Sequence, residues 1–180
     1  EGGVIERDSK GEPTGILKET AADICYEKIP PPPREYMIES IKQAQKHLLK
    51  LGIVAVGDCD ERADLFSIYH DLDQAGKLNI RIFKMVPRDQ LQRAIDFKFT
   101  TGQGTEHFRI GCLKLFADGA LGSQTAYMFE HYEGSTKDFG VETLTPNQID
   151  DYVSRAVEAG IGVAMHAIGD KACYQALNGI

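Results

Sequence analysis

No run in this chain approaches the roughly 18 consecutive apolar residues that a membrane-spanning helix requires, so no membrane segment is expected. Nor is there an excess of basic residues. Lysine and arginine number 20 against 27 aspartates and glutamates, a net charge of −7 over 180 residues. An acidic chain without a basic stripe is not expected to bind nucleic acid. The four cysteines, Cys25, Cys59, Cys112 and Cys173, are scattered, with no C-x-x-C pair. That spacing argues against a zinc knuckle or a dithiol redox motif and points to free thiols in a reducing, cytoplasmic setting. Cys59 and Cys112 lie in or beside strand-like runs and are expected to be buried. The five histidines contain no H-x-H or H-E-x-x-H spacing. No glycine-rich dinucleotide fingerprint or P-loop follows any strand-like run, and no secretory leader is visible at the N-terminus.

What the chain does contain is an alternation of short apolar runs with amphipathic stretches. Its 42% hydrophobic and 26% charged residues suit a globular protein. Residues 1–33 read apart from the rest. Segments 4–7 and 14–17 flank a turn-rich stretch and predict a hairpin. The IPPPP run at 29–33 blocks helix until its last proline. From Arg34 onward the pattern is regular. Met37, Ile41, Ala44, Leu48 and Leu51 form the apolar stripe of a helix closed by Gly52. Strands are expected at 53–56, 79–86 and 110–117, and a fourth in IGVAMHAIGD (161–170). Helices are expected at 62–75, 88–99, 146–159 and 171–177. Thr145 and Asp170 are the expected caps of the last two. This order predicts an α/β fold of parallel βαβ units, either a doubly wound sheet or about four units of a (β/α)8 TIM barrel. A complete barrel needs about 250 residues.

Both architectures gather their chemistry at the C-terminal ends of the strands. Those ends carry Asp58, Asp60 and Glu61, then Arg88 and Asp89, then Lys114 and Asp118, then His166 and Asp170. Period-two alternation turns Leu113, Leu115 and Ala117 toward the helices and Cys112, Lys114, Phe116 and Asp118 to the other face. A lysine on that inner face can pair with a buried carboxylate. It can also lose its proton for Schiff-base chemistry, or be carboxylated and bridge two metal ions. His166, at a strand end, is either a satisfied core residue or a metal ligand. His131 reads as a solvated loop residue, and Asp58 and Asp60 as turn residues or supports for a site. His47 and His70 fall on helices and His107 in a loop.

KLFADGALGSQTA (114–126) together with HAIGD (166–170) resembles amidohydrolase family 3, the YtcJ-like branch of the metal-dependent amidohydrolase superfamily. GIVAVGD (52–58) and RDSKGEPTGILKE (7–19) are similar to further stretches of that family, and the matches fall in family order. The resemblance implies a metal-dependent hydrolase of C–N bonds, of amide or formamide type, on a (β/α)8 barrel. It maps a carboxylated, metal-bridging lysine onto Lys114 and a metal-binding histidine onto His166, with zinc the default metal. The family's H-x-H, second later histidine and late aspartate have no counterpart here, so the chain reads as an internal fragment with residues 34–180 as half a barrel. Gln124 stands where arginine is usual, and His131 where a proline often precedes tyrosine.

Alternatives that remain open are a noncatalytic oligomerising domain and a Schiff-base lyase using Lys114. The expected substrate of the parent is a small-molecule amide, and the fragment alone is expected to be inactive. Half a barrel leaves open sheet edges and an apolar inner face, and both favour self-association. The chain is therefore expected to be a homo-oligomer; a clean monomer at micromolar concentration in sedimentation velocity would refute this.

Overall fold

The computed structural model describes residues 3–60 and 62–179. An antiparallel hairpin of β1 (Gly3–Arg7) and β2 (Pro13–Glu19) comes first. A 3-10 turn (Thr20–Ala22) and a one-turn helix α1 (Asp23–Tyr26) follow, neither of which the sequence pattern announces. Next come α2 (Arg34–Lys50), β3 (Ala55–Asp58), α3 (Asp64–Gln74), β4 (Arg81–Val86) and α4 (Leu91–Asp96). Last are β5 (Phe108–Phe116), α5 (Pro146–Glu158), β6 (Val163–His166) and α6 (Asp170–Asn178). A four-stranded sheet runs in the order β3-β4-β5-β6. The first two pairings are parallel. The Leu113 and Ala117 N–H groups donate to the Gly162 and His166 carbonyls, so β6 runs the same way. Doubly wound sheets reverse their strand order at a switch point; this order runs without reversal.

Contacts divide the chain into two compact units. One holds Pro31–Leu115 and Arg155–Ala164; the other holds Glu1–Pro30, Phe116–Ser154 and Met165–Ile180.

In the first unit, Leu65, Ile68, Tyr69 and Leu72 of α3 are buried, as their spacing predicts. The face of α2 differs from its expected stripe. Ala44 and Leu51 are exposed, and Gln45, next to Ala44, is buried instead. The Gln45 amide donates to the Lys77 carbonyl at 3.2 Å and accepts the Asn79 N–H at 2.6 Å. It thus pins the helix to the segment leading into β4. The first strand of the sheet begins two residues later than expected, and Ile53 and Val54 are exposed beside this edge strand. Cys59 is exposed, contrary to expectation, because it follows the end of β3; Cys112 is half-buried.

β5 contains one extra residue. Lys84 of β4 stands opposite Ile110, and Val86 opposite Leu113, so Gly111 and Cys112 share the place facing Met85. This is a β-bulge, and it needs glycine. A Cβ on Gly111 would lie 2.8 Å from the Lys84 carbonyl oxygen and 3.0 Å from Met85 Cα. The bulge resets the alternation. Phe108 and Ile110 are buried before it, and Leu113, Leu115 and Ala117 after it. Without it, Lys114 would follow Ile110 into the apolar layer. With it, Lys114 lies on the opposite, half-buried face.

In the second unit, the Asp8 carboxylate closes the hairpin turn by accepting the Lys10 and Glu12 N–H groups. Residues 119–144 contain no helix or strand among the described residues, yet Thr125 and Ala126 within them are fully buried. Thr145 caps the start of α5, as the sequence predicts, and forms with Gln148 a reciprocal capping box. The Gln148 side chain accepts the Thr145 N–H at 2.9 Å, and the Thr145 hydroxyl accepts the Gln148 N–H at 3.4 Å.

Candidate functional site

Asp118, two residues beyond β5, is 1% exposed. Its strand has already ended, so alternation does not govern it. It is enclosed by backbone donors. Oδ2 accepts the N–H of Gly169 at 2.7 Å and of Tyr127 at 2.9 Å, and Oδ1 accepts the N–H of Ile168 at 3.0 Å. Three donors answer a carboxylate that burial would otherwise penalise heavily. They also tie the end of β5 to the long connection and to the loop after β6.

His166, the last residue of β6, is held in the same cluster. Its Nε2 lies 2.8 Å from the Gly119 carbonyl oxygen. A carbonyl only accepts, so Nε2 carries the proton, and in the neutral ring Nδ1 is left as the acceptor. Asp118 Oδ1 is 3.8 Å from Nε2, beyond hydrogen-bond distance. The Phe116 ring packs against the imidazole with centroids 5.4 Å apart.

Two glycines make this cluster possible. A Cβ at Gly169 would collide with the backbone of Tyr127, and one at Gly119 would strike the Thr125 hydroxyl and the Glu19 carboxylate. Glu19 itself has φ of 52°, a backbone state that non-glycine residues rarely adopt. Nothing in its sequence context signals this placement. Asp170 is the first residue of α6, and Gly169 holds the capping position. The Asp170 carboxylate instead accepts the Phe129 N–H at 2.9 Å and the Lys171 N–H at 2.8 Å. His131 is an exposed loop residue, as expected.

In the other unit, Lys114 is half-buried on β5, and its ammonium donates to the Leu115 carbonyl at 3.2 Å. The fully sealed lysine is a different one. Lys84 is 0% exposed, on the helix-facing side of β4 with Ile82 and Val86. Its Nζ lies 3.9 Å from Asp58 Oδ2 and donates to the Asp60 carbonyl. Asp58 also accepts the Tyr69 hydroxyl at 2.8 Å and the Asp60 N–H at 2.9 Å. Asp58 and Asp60 therefore organise the turn after β3 around a buried charge. Burial, and then the charge of Asp58, raise the Tyr69 phenol well above its ordinary value. Arg88 and Asp89 lie exposed on a short 3-10 turn, and Glu61 lies outside the described residues. Among the described residues, no three histidine, cysteine, aspartate or glutamate side chains converge to hold a metal ion. The described histidine, cysteine and carboxylate side chains therefore do not by themselves make a complete metal site.

An ordered parallel sheet with Asp58, Asp118 and His166 at or just past the C-terminal ends of its strands is an α/β arrangement of the kind that gathers chemistry at those ends. The chain matches the model of the amidohydrolase family over residues 1–180 and belongs to that family. It is 32% identical over 185 residues to the putative amidohydrolase YtcJ of Bacillus subtilis, covering 100% of this chain and 34% of that protein. It is 31% identical over 182 residues to Protein LONG AFTER FAR-RED 3 of Arabidopsis thaliana, covering 95% of this chain and 31% of that one. The fold is similar to the crystal structure of an uncharacterized metal-dependent hydrolase from Pyrococcus horikoshii OT3. There the TM-score is 0.80 and the identity 30%, over 98% of this chain and 36% of that one. The chain thus spans about a third of the length of the curated relatives it matches.

Replacing Asp118 with alanine strands three backbone donors. The expected loss is about 3 kcal/mol or more of stability in urea denaturation, and a loss near zero would contradict the cluster.

Tyr69 predicts a pH dependence. Its folded pKa is raised above the ordinary 10.0, so above that pH the unfolded phenol ionises first. The unfolded state then binds fewer protons, and stability falls as pH rises. Urea midpoints between about pH 9 and 11 should fall more steeply in the wild-type chain than in Tyr69→Phe; parallel slopes would refute the assignment.

Proposed function

We propose that this chain is part of a metal-dependent hydrolase acting on C–N bonds of amide or formamide type, contributing about four βα units to a (β/α)8 barrel. Membership of the amidohydrolase family supports the reaction class. Similarity to a metal-dependent hydrolase supports the need for a metal, and the unreversed strand order supports the barrel. The single observation that carries the reading is the Asp118 cluster. It joins the two longest family-like stretches, the turn after Lys114 and the loop that begins at His166, through one buried side chain.

In this reading His166 presents Nδ1, the nitrogen left over by its bond to Gly119, to a divalent metal. Zinc is the default partner of such an imidazole. Lys114, as a carbamate, contributes oxygen. One imidazole and one carbamate are fewer than the three protein ligands of a usual catalytic zinc site. The remaining ligands belong to the longer protein, and no reaction step is assigned to the side chains of this chain. Within it, Gly119 fixes the tautomer of His166, and Asp118 fixes the backbone on either side.

The experiment is a comparison of the 180-residue chain with the complete reading frame. The chain alone is expected to hold no stoichiometric metal by plasma mass spectrometry and to hydrolyse no N-substituted formamide. In the complete protein, Lys114→Ala and His166→Ala should each cut bound metal and lower kcat/KM by about a hundredfold or more. Full metal content in both variants would overturn the ligand assignment.

A further inference from the structure

A pocket of about 370 Å³ opens between the start of α3 and the α4 region, within a single unit. Nothing in the proposed reaction uses it. Its volume lies in the range of roughly 300–1,000 Å³ typical of small-molecule sites. The walls are apolar: Phe66, Val86, Ala94, Phe97 and Phe99. Three of them form a row of rings. Phe66 and Phe99 stand 6.5 Å apart with planes at 26°, and Phe97 and Phe99 stand 5.9 Å apart at 25°. The end ring, Phe97, is 60% exposed. A phenyl ring left this open forgoes much of the stabilisation its burial would bring.

The polar groups at the pocket differ in what they have left to offer. Arg62 binds the Asp64 carboxylate with contacts of 2.7 and 3.2 Å, and this hydrogen bonding holds the Asp64 carboxyl below its usual range. The Ser67 hydroxyl is taken by Arg34 and by the Asp64 carbonyl. Arg93 is the exception. Its guanidinium lies over Phe97, 5.6 Å from the ring centroid. Among the described residues it makes no side-chain hydrogen bond or ion pair. A planar cation with its donors uncommitted, beside a row of phenyl rings, is complementary to a flat apolar body ending in a carboxylate.

We propose that this pocket is a binding site for an aryl carboxylate, its ring against Phe97 and Phe99 and its carboxylate on Arg93. The chain carries a net charge of −7. Its overall field therefore repels anions, and a preference for the acid over a neutral analogue must come from a local cation.

The probes are phenylacetate and its neutral counterpart phenylacetamide, titrated into the 180-residue chain while the phenylalanine ring resonances are followed by NMR. Phenylacetate should saturate with one site and shift Phe97 and Phe99, and should bind more tightly than the amide. Arg93→Gln should weaken phenylacetate about tenfold and leave the amide unchanged. Phe97→Ala should weaken both. Both substitutions are at exposed positions, so the fold should survive them. Absence of saturation at millimolar phenylacetate would overturn the proposal. So would equal affinity for acid and amide, or an Arg93→Gln chain that binds the acid as well as the parent.

Discussion

A carboxylate sealed from water must find its hydrogen bonds inside the protein, and Asp118 finds them in three peptide groups from two separate segments. Tyr127 belongs to the long connection after β5, and Ile168 and Gly169 to the loop after β6. Each donor would itself be stranded without the acceptor, so the three segments close around one side chain or not at all. Other features of this unit follow from that closure. Gly169 has no room for a side chain because it lies against the Tyr127 backbone, and Gly119 has none because Thr125 and Glu19 crowd its turn. His166 takes the Gly119 carbonyl as partner, and with it a defined tautomer. The connection from 119 to 144 can then dispense with helix and strand. Its backbone groups bond to one another, as in the pairing of Gly119 N–H with the Thr125 carbonyl, and to the ends of the strands.

The other unit meets the same difficulty by opposite means. Lys84 is a cation on the helix-facing side of β4, between Ile82 and Val86, and its counter-charge Asp58 comes from the neighbouring strand. Tyr69 reaches from α3 to the same carboxylate, so sheet and helix share one polar contact inside an apolar layer. Such a pair contributes little net stability compared with a hydrophobic pair of similar volume, but breaking one side of it is costly. Here it also sets the course of the turn after β3, since Asp58 and Asp60 are bound both to each other and to the lysine.

The alternation of strands and helices was legible because each segment repeats its own period: two in the strands, about three and a half in the helices. The N-terminal cap of α5 was legible because its chemistry is local, a threonine directly before a proline that can only open a helix. What escaped notice depended on partners remote in sequence. Lys84 looks like one polar letter in an apolar strand, and only the register of β3 against β4 shows that Asp58 answers it. Gln45 stood outside the apolar stripe assigned to α2, yet it is buried because Lys77 and Asn79 supply its partners. The strained Glu19 and the role of Asp118 as a hub likewise rest on loops that approach each other only in the fold. Alternation placed Lys114 on the correct face although the bulge at Gly111 was not foreseen. The alternation of 112–118 lies past Gly111, so the reset does not disturb it.

The two lysines of the sheet separate two uses of a buried amine. Carboxylation requires a neutral nitrogen with a path to carbon dioxide, and a product whose negative charge has somewhere to go. Lys84 meets neither condition, being sealed and facing Asp58, where a second anion would be repelled. Lys114 differs in position rather than in kind. The bulge turns it out of the apolar layer onto a half-buried face, where a lysine can change its charge without disrupting a packed core. If Lys114 serves as the proposed metal-bridging carbamate, the decisive residue for that role is the glycine three positions before it. Any side chain at Gly111 would meet the β4 backbone. Losing the bulge to relieve that clash would place Lys114 among the leucines.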